Sequence, residues 1–377
     1  MTACGGDSSG PGDGDDGNTL SGTVRAAESP TVLPGATVTA GSHQATSDAD
    51  GRFELSGLPT GPVTILVRRP GYLPAQAGIT MTAGANSHDF SLTAQEEYLL
   101  GPVAVYVPAG AAPMRGAIVV LGGPPTRGFV TGENMSGAGA PPGHEEGLQA
   151  LGADLRLLAR TARVALIGTS TIAMDNSAAS DDGLFTTVAN AAMASGRPEV
   201  AGAPLLMVGL SAGSPEAAGL ASRHPERALG LLVRVPTSVS SLPPGPATGV
   251  PTFVMQAEED QIDRNAAVRS TFAANRAQGG LWALAVELGV AHEDVSSLGN
   301  GSMVGWLGSA LELRLPATAA GPLVPLDESA GWLGNQTTLD ITAWADYPGN
   351  RAEASWLLSA GEAVSWKRLG SPQTGGE

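Results

Sequence analysis

The chain has 377 residues, a single cysteine and a formal net charge of −16. This charge disfavours nucleic acid and anionic membrane surfaces as partners, because both carry negative charge themselves. One cysteine excludes an intrachain disulfide and a cysteine-based zinc site. The length, with 42% hydrophobic residues, allows two or three domains and a sizeable core.

Residues 1–20 are mostly Gly, Asp and Ser, a composition that predicts a disordered tether. The order Met-Thr-Ala-Cys-Gly-Gly places Cys4 directly before this polar stretch. The segment resembles the start of a mature bacterial lipoprotein, in which a lipidated cysteine precedes a flexible tether. The resemblance implies an extracytoplasmic protein with a membrane anchor on Cys4. The alternative is a secreted protein with a plain disordered tail.

Residues 21–95 contain short β-rich runs that alternate with turn signals, a spacing that predicts a small antiparallel β-sandwich. The sequence Asp-Ala-Asp-Gly at residues 48–51 predicts a hairpin turn between two of these strands. The strings Leu-Pro-Gly-Ala-Thr-Val (33–38), Thr-Ser-Asp-Ala-Asp-Gly-Arg-Phe (46–53) and Arg-Pro-Gly-Tyr (69–72) resemble the carboxypeptidase-regulatory-like domain. That resemblance implies a transthyretin-like fold without a catalytic role.

Residues 96–320 change character, because strands now alternate with helices. This alternation predicts an α/β domain built on a mostly parallel sheet with helices on both faces, and a ligand site beyond the carboxyl ends of the strands. We expect the strands at 103–107 and 117–121 to be adjacent. The Pro- and Gly-rich connection between residues 236 and 251 is too short for a lid domain, which predicts an open site.

The run Leu-Leu-Met-Val-Gly-Leu-Ser-Ala-Gly at residues 205–213 carries the clearest chemical signal. A buried strand leads directly into Gly-x-Ser-x-Gly, and a helix of small residues follows. This context is typical of a nucleophile elbow, in which a tight strand-to-helix turn exposes the serine hydroxyl. Ser211 is therefore the predicted nucleophile. We expect Gly209 and Gly213 to flank it because side chains there would collide with the neighbouring strand and helix.

A serine nucleophile needs a base within hydrogen-bond reach and an acid that orients the base. Of the five histidines, His292 directly follows the last predicted strand, at the edge where the elbow lies, and it is therefore the predicted base. The acid should follow the preceding strand, where four carboxylates compete. We favour Asp260, with Asp263 and Glu259 as alternatives. Asp263 stands just before a helix and is better suited as its N-cap.

An oxyanion hole needs two N–H donors aimed at the developing negative charge. One donor should be the backbone amide of Ala212, the residue after the nucleophile. The other should come from the Gly-Gly-Pro-Pro loop that follows the strand at 117–121. Prolines 124 and 125 have no N–H, so the donor is Gly122 or Gly123, and we choose Gly123.

With these motifs in the order Ser211, Asp260, His292, residues 96–320 resemble the serine α/β-hydrolases of the esterase and lipase type. The resemblance implies hydrolysis of small or polymeric carboxylic esters through an acyl-enzyme, with no metal or organic cofactor. A peptidase on the same scaffold is one alternative. A surface binding or adhesion protein with a degenerate hydrolase domain is the other.

Residues 321–377 contain four of the six tryptophans. We predict a helical C-terminal extension that docks on the hydrolase domain with its tryptophans as packing residues. Binding of a ring-shaped substrate is the alternative role for these side chains. The acyl and alcohol specificity and the oligomeric state do not follow from the sequence.

Overall fold

The computed structural model describes residues 17–372 except for 102, 111, 123–125, 133–142, 170–176, 238–248 and 319. Cys4, Gly123 and most of the connection predicted to be too short for a lid domain therefore lie outside the described residues. The chain forms two compact units that divide between Gln95 and Glu96. In the part that is described, no helix is both long and apolar enough to cross a membrane.

The N-terminal unit consists of eight strands in two sheets. In chain order they are β1 (Asn18–Ala26), β2 (Thr37–Ala40), β3 (His43–Thr46), β4 (Arg52–Leu58), β5 (Gly61–Arg68), β6 (Ala75–Met81), β7 (Ala85–Ser87) and β8 (Phe90–Leu92). One sheet holds β4, β1, β7 and β8, and the other has the order β3-β2-β5-β6. Apolar side chains from both sheets form one core, in which Leu20, Val24, Val38, Ile65 and Val67 are among the most buried. The unit is the predicted β-sandwich, although β1 pairs in parallel with β7 and β8.

The turn at residues 48–51 forms, but it does not close a hairpin. It joins β3 to β4, and these strands pair with β2 and β1 respectively, in different sheets. The Oδ1 atom of Asp48 accepts hydrogen bonds from the amides of Asp50 (2.9 Å) and Arg52 (2.8 Å). The side chain thus stabilises a tight turn that carries the chain from one sheet to the other. Turn chemistry predicts the reversal of the chain but not the partner of the next strand.

Within the described residues, the large sheet of the C-terminal unit has eight strands, and six helices accompany it. In chain order they are β9 (Glu97–Leu100), β10 (Val103–Tyr106), β11 (Gly116–Gly122), α1 (Gly128–Thr131), α2 (His144–Ala162), β12 (Val164–Thr169), α3 (Ala178–Ala194), β13 (Leu205–Leu210), α4 (Ser214–Arg223), β14 (Ala228–Arg234), β15 (Thr252–Ala257), α5 (Ile262–Ala277), β16 (Trp282–Glu287) and α6 (Ser297–Arg314). The sheet has the order β16-β15-β14-β13-β11-β12-β10-β9. Strands β9 and β10 are antiparallel to their neighbours, and all other pairs are parallel.

This sheet order corrects one expectation. Strands β10 and β11 follow each other in the chain, but β12 lies between them in the sheet. The chain therefore crosses over through α2 before it returns to fill the gap. Consecutive strands are neighbours only as a tendency, and the sequence holds no signal for this exception.

The two faces of the sheet are covered by different helices. Along β11, Ile118 and Val120 face the core shared with α2 and α6, whereas Ala117 and Val119 face the core shared with α3, α4 and α5. This alternation is the two-residue period of a strand that is buried on both faces. The result is the α/β-hydrolase fold predicted from the sequence. Its parallel strands end at one edge, which carries the residues of the candidate site.

The C-terminal segment is only partly helical, contrary to expectation. It forms a small antiparallel sheet of β17 (Trp332–Gly334), β18 (Ile341–Ala343) and β19 (Ser355–Leu357), followed by α7 (Ala360–Leu369). The indole of Trp366 donates to the carbonyl of Leu284 (2.7 Å), and the amide of Leu284 donates to Oγ of Ser355 (2.8 Å). These side chains satisfy the backbone amide and carbonyl of Leu284 in β16, the edge strand of the large sheet, and there oppose pairing with another chain.

Candidate active site

Ser211 stands at the turn between β13 and α4. Its backbone has φ of 49°, in the left-handed region that non-glycine residues rarely adopt. Such a conformation costs about 1–3 kcal/mol and persists only where the surrounding structure enforces it. Here the buried strand β13 fixes one side of the turn and α4, which begins at Ser214, fixes the other. The strained residue is the one predicted as the nucleophile.

The flanking glycines are required by close backbone contacts, as expected. A Cβ atom added to Gly209 would lie 2.7 Å from Cα of Ser214 and 3.0 Å from Cβ of Ala217 in the following helix. A Cβ added to Gly213 would overlap the carbonyl group of Leu121 and the amide nitrogen of Gly122, at the end of β11. Any larger residue at these positions would displace the elbow from the sheet.

The structure brings the three predicted side chains into one hydrogen-bonded chain. Oγ of Ser211 lies 2.7 Å from Nε2 of His292. Nδ1 of the same ring lies 2.8 Å from Oδ2 of Asp260. His292 lies in the loop after β16, and Asp260 follows β15, so both come from the carboxyl edge of the sheet. Residues 81 and 32 positions apart in the chain are thus brought into contact at one edge of the sheet.

The carboxylate of Asp260 is almost completely buried and has several hydrogen-bond donors. Its side chain is only 3% exposed. Burial alone would raise the pKa of Asp260, but hydrogen bonds from His292, the amide of Gln261 and Arg264 together lower it. The group is therefore an anion at neutral pH, which is the state that can hold an imidazole in one tautomer.

The two alternative acids lie elsewhere. Glu259 is exposed, and its amide donates to the carbonyl of Val290. Asp263 is also exposed, in the first turn of α5. It does not cap that helix as expected, because the N-cap position is taken by Gln261. Of the candidate carboxylates, the geometry selects Asp260.

The loop that carries His292 is held by a buried ion pair. Arg234 at the end of β14 and Glu287 at the end of β16 lie 3.5 Å apart, and both side chains are 6% exposed. Nη2 of Arg234 also donates to the carbonyl of Asp294 (3.2 Å), and Glu287 is hydrogen-bonded to Ser296. Burial lowers the pKa of Arg234, while the charges of Glu287 and Asp294 oppose that shift. Removal of one partner would leave a buried charge unpaired.

The predicted oxyanion hole lies only partly within the described residues. Ala212 directly follows the nucleophile and is exposed, which leaves its position open to a substrate. Gly122 ends β11 beside the elbow, whereas Gly123 lies outside the described residues. Over the described ranges, no cluster of three or more His, Cys, Asp or Glu side chains is arranged to hold a metal ion.

Sequence reasoning missed Arg234 and Arg264. An arginine at the end of a buried strand is visible in the sequence, but its partner Glu287 is 53 residues away. Arg264 follows Asp260 by four residues, a spacing at which helical side chains interact. The helix begins only at Ile262, however, so that the spacing alone did not indicate the contact.

Comparison with known proteins identifies a known domain family in the N-terminal unit. Residues 19–93 match the family model of the carboxypeptidase regulatory-like domain. A search of curated proteins gave no match. A mutant type II cohesin–X-dockerin complex from Acetivibrio cellulolyticus shares 22% identity with 21% of this chain, at a TM-score of 0.20. The chain spans 60% of that structure's length.

Two solved structures, named as a hydrolase and an esterase, are similar to a larger part of the chain. A predicted CIB-like hydrolase from Thermoplasma acidophilum is 13% identical, with 56% of this chain and 96% of that chain covered, at a TM-score of 0.36. Esterase PE8 is 16% identical, with 55% and 96% covered, also at 0.36.

Proposed function

We propose that the protein is a serine hydrolase that cleaves carboxylic esters through an acyl-enzyme. The observation that carries the proposal is the unbroken chain of hydrogen bonds from Ser211 through His292 to Asp260. Each member lies at a distance that permits proton transfer or orientation without rearrangement. The strained backbone at Ser211 and the close packing of its two flanking glycines support the same interpretation.

In this mechanism, Oγ of Ser211 attacks the ester carbonyl while Nε2 of His292 accepts its proton. Asp260 accepts a hydrogen bond from Nδ1–H and stabilises the imidazolium that forms. The amide of Ala212 donates to the oxyanion, and the loop after β11, with Gly123 as the predicted donor, supplies the second hydrogen bond. His292 then returns the proton to the leaving alcohol. Water resolves the acyl-enzyme by the same route.

The alternative of a degenerate, non-catalytic hydrolase domain is disfavoured by the same contacts. A binding protein has no need to keep three side chains aligned or to hold a serine at φ of 49°. A peptidase would use identical chemistry, so it differs in substrate and not in site. We place esters first because an alcohol is expelled more readily than an amine.

The test is hydrolysis of p-nitrophenyl esters of graded acyl length, with a p-nitroanilide as the amide counterpart. We expect turnover of at least one ester, and a loss of at least about 10³-fold in Ser211→Ala. His292→Ala should lose activity similarly. His88→Ala, an exposed histidine of the N-terminal unit, should keep wild-type activity. Equal activity of wild type and Ser211→Ala would refute the proposal.

We also propose that the protein acts outside the cytoplasm, either anchored through a lipid on Cys4 or secreted. The support is the sequence around Cys4 alone. The test is metabolic labelling with a fatty-acid analogue in a bacterial host. Label that is absent in Cys4→Ser but present in the wild type would support an anchor. An unlabelled wild type found in the culture medium would support secretion.

A further inference from the structure

Arg264 touches both the acid and the base of the candidate triad. Its Nη1 atom lies 2.9 Å from Oδ1 and 3.2 Å from Oδ2 of Asp260. The same atom lies 2.7 Å from Nδ1 of His292. Its side chain is 20% exposed, so that it lies at the rim of the site and not in free solvent. Asp260 therefore interacts with two partners at once: Arg264, which is a cation, and His292, which becomes one on protonation.

These contacts restrict where the protons lie. A guanidinium nitrogen donates but does not accept hydrogen bonds. When Nε2 of His292 accepts from Ser211, Nδ1 must carry the ring proton and donate it to Asp260. The N–H groups of Arg264 and His292 then converge on the same oxygen, Oδ2. Arg264 thus neutralises part of the negative charge of Asp260, which would otherwise interact with the imidazole of His292 alone.

The charge of Arg264 also acts on the reaction directly. His292 becomes a cation when it accepts the serine proton or a proton from water. A permanent positive charge at hydrogen-bond distance from Nδ1 opposes that cation by Coulomb repulsion, and the low exposure of the site limits screening by solvent. The other ionisable side chains near the loops that carry Asp260 and His292 are Glu258, Glu259, Asp263, Glu293, Asp294, Glu287, Arg234 and His144.

We infer that Arg264 is a positioning residue that extends the activity of this site to lower pH. It orients Asp260 through contacts to both carboxylate oxygens, and its charge delays uptake of the second proton by His292. The inference rests on the proposed function, because it assigns a role within the same triad. As a consequence, hydrolysis persists at acidic pH values at which His292 would be protonated if Arg264 were absent.

The experiment compares wild type, Arg264→Gln and Arg264→Lys in a pH series, read out in two ways. The first is kcat/KM for a p-nitrophenyl ester. The second is the ¹³Cε1 NMR signal of His292, assigned by its absence in His292→Asn. The NMR readout needs no substrate, so it tests the inference even if no ester is hydrolysed. Arg269→Gln removes one charge from the same helix and is the matched control.

We expect Arg264→Gln to raise the midpoint of both curves by at least about 0.7 pH unit and by no more than about 3. These limits correspond to one charge about 4 Å away under water-like screening and at an effective dielectric constant of about 20. Arg264→Lys keeps the charge and should stay within about 0.3 unit of wild type, as should Arg269→Gln.

Unmoved midpoints in Arg264→Gln would overturn the inference, even if its activity falls at every pH, since that pattern indicates a purely structural hold on Asp260. An equal rise in Arg269→Gln would overturn it too, because the effect would then be general to the charge of the helix. Should Arg264→Gln fail to fold, Arg264→Met makes the same change in charge and gives the same expected shift.

Discussion

Replacement of Gly213 by alanine tests how the elbow is built. The added Cβ would meet backbone atoms of Leu121 and Gly122 well inside 3.0 Å, a separation that real Cβ atoms essentially never show. Ordinary carbon contacts are about 3.5–4.0 Å, so the turn or the end of β11 must move by roughly 1 Å. Because both partners are backbone, no side-chain rotation can relieve the overlap.

Two measurable losses follow from that movement. Overpacking of this kind costs about 1–3 kcal/mol in the free energy of unfolding. A displacement of about 1 Å at a reacting atom costs about 10²-fold in rate. We therefore expect the free energy of unfolding of Gly213→Ala, measured by urea denaturation, to be about 1–3 kcal/mol lower than that of the wild type. We also expect kcat/KM to fall by at least about 100-fold.

Gly183→Ala is the matched control for this substitution. Gly183 lies inside α3, and an added Cβ there meets nothing within 4 Å. The change should leave kcat/KM unaltered and raise stability by about 0.5–1 kcal/mol, because alanine loses less backbone entropy in a helix. Wild-type activity together with wild-type stability in Gly213→Ala would refute the reasoning about the elbow.

Two further substitutions test the predicted acid, Asp260, and the buried carboxyl group of Glu362. Asp260→Asn should lower kcat by about 10²- to 10⁴-fold, because an amide no longer selects the working imidazole tautomer, whereas exposed Asp263→Asn should keep its activity. Burial raises the pKa of Glu362 to about 8, although a hydrogen bond from the amide of Leu358 opposes the shift. Glu362→Gln should therefore be more stable than wild type at pH 8 by a few kcal/mol, and the difference should shrink toward pH 4.5.

The sign of the Glu362 effect follows from proton linkage. Between its ordinary pKa of 4.5 and about 8, the folded state keeps a proton that the unfolded state has lost. The contribution of Glu362 to stability therefore falls as pH rises through this window, and it is constant above it. Thermal unfolding at pH 5 and pH 8 measures the difference. A gain from Glu362→Gln that is equal at both pH values would contradict this account, as would loss of activity in Asp263→Asn.

Most of the large sheet could be predicted because each strand is short, apolar and followed by a recognisable turn or helix. Ser211 and His292 could be located because the chemistry fixes what must precede and follow them. Asp260 is harder to single out, since four carboxylates share its loop. Burial separates them, because Asp260 is buried while Glu258, Glu259 and Asp263 are exposed. Exposure of neighbouring loop residues is not readable from sequence.

The features that escaped prediction depend on contacts between distant parts of the chain. The place of β12 between β10 and β11 is set by the crossover of α2. Ser355 of the small sheet and Trp366 of α7 bond to the edge strand β16, and no local sequence pattern predicts this contact. Arg264 contacts a histidine 28 residues away. In each case the local propensity is compatible with several outcomes, and tertiary packing selects one of them.

The central claim is that Ser211 is a nucleophile activated by His292, and labelling with a fluorophosphonate probe tests it most directly. Such probes bond to an activated serine and need no knowledge of the natural substrate. We predict stoichiometric labelling of the wild type, mapped by peptide mass spectrometry to Ser211, with none in Ser211→Ala and strongly slowed labelling in His292→Ala. A folded wild-type protein that takes up no label, or takes it up at another residue, would contradict the account.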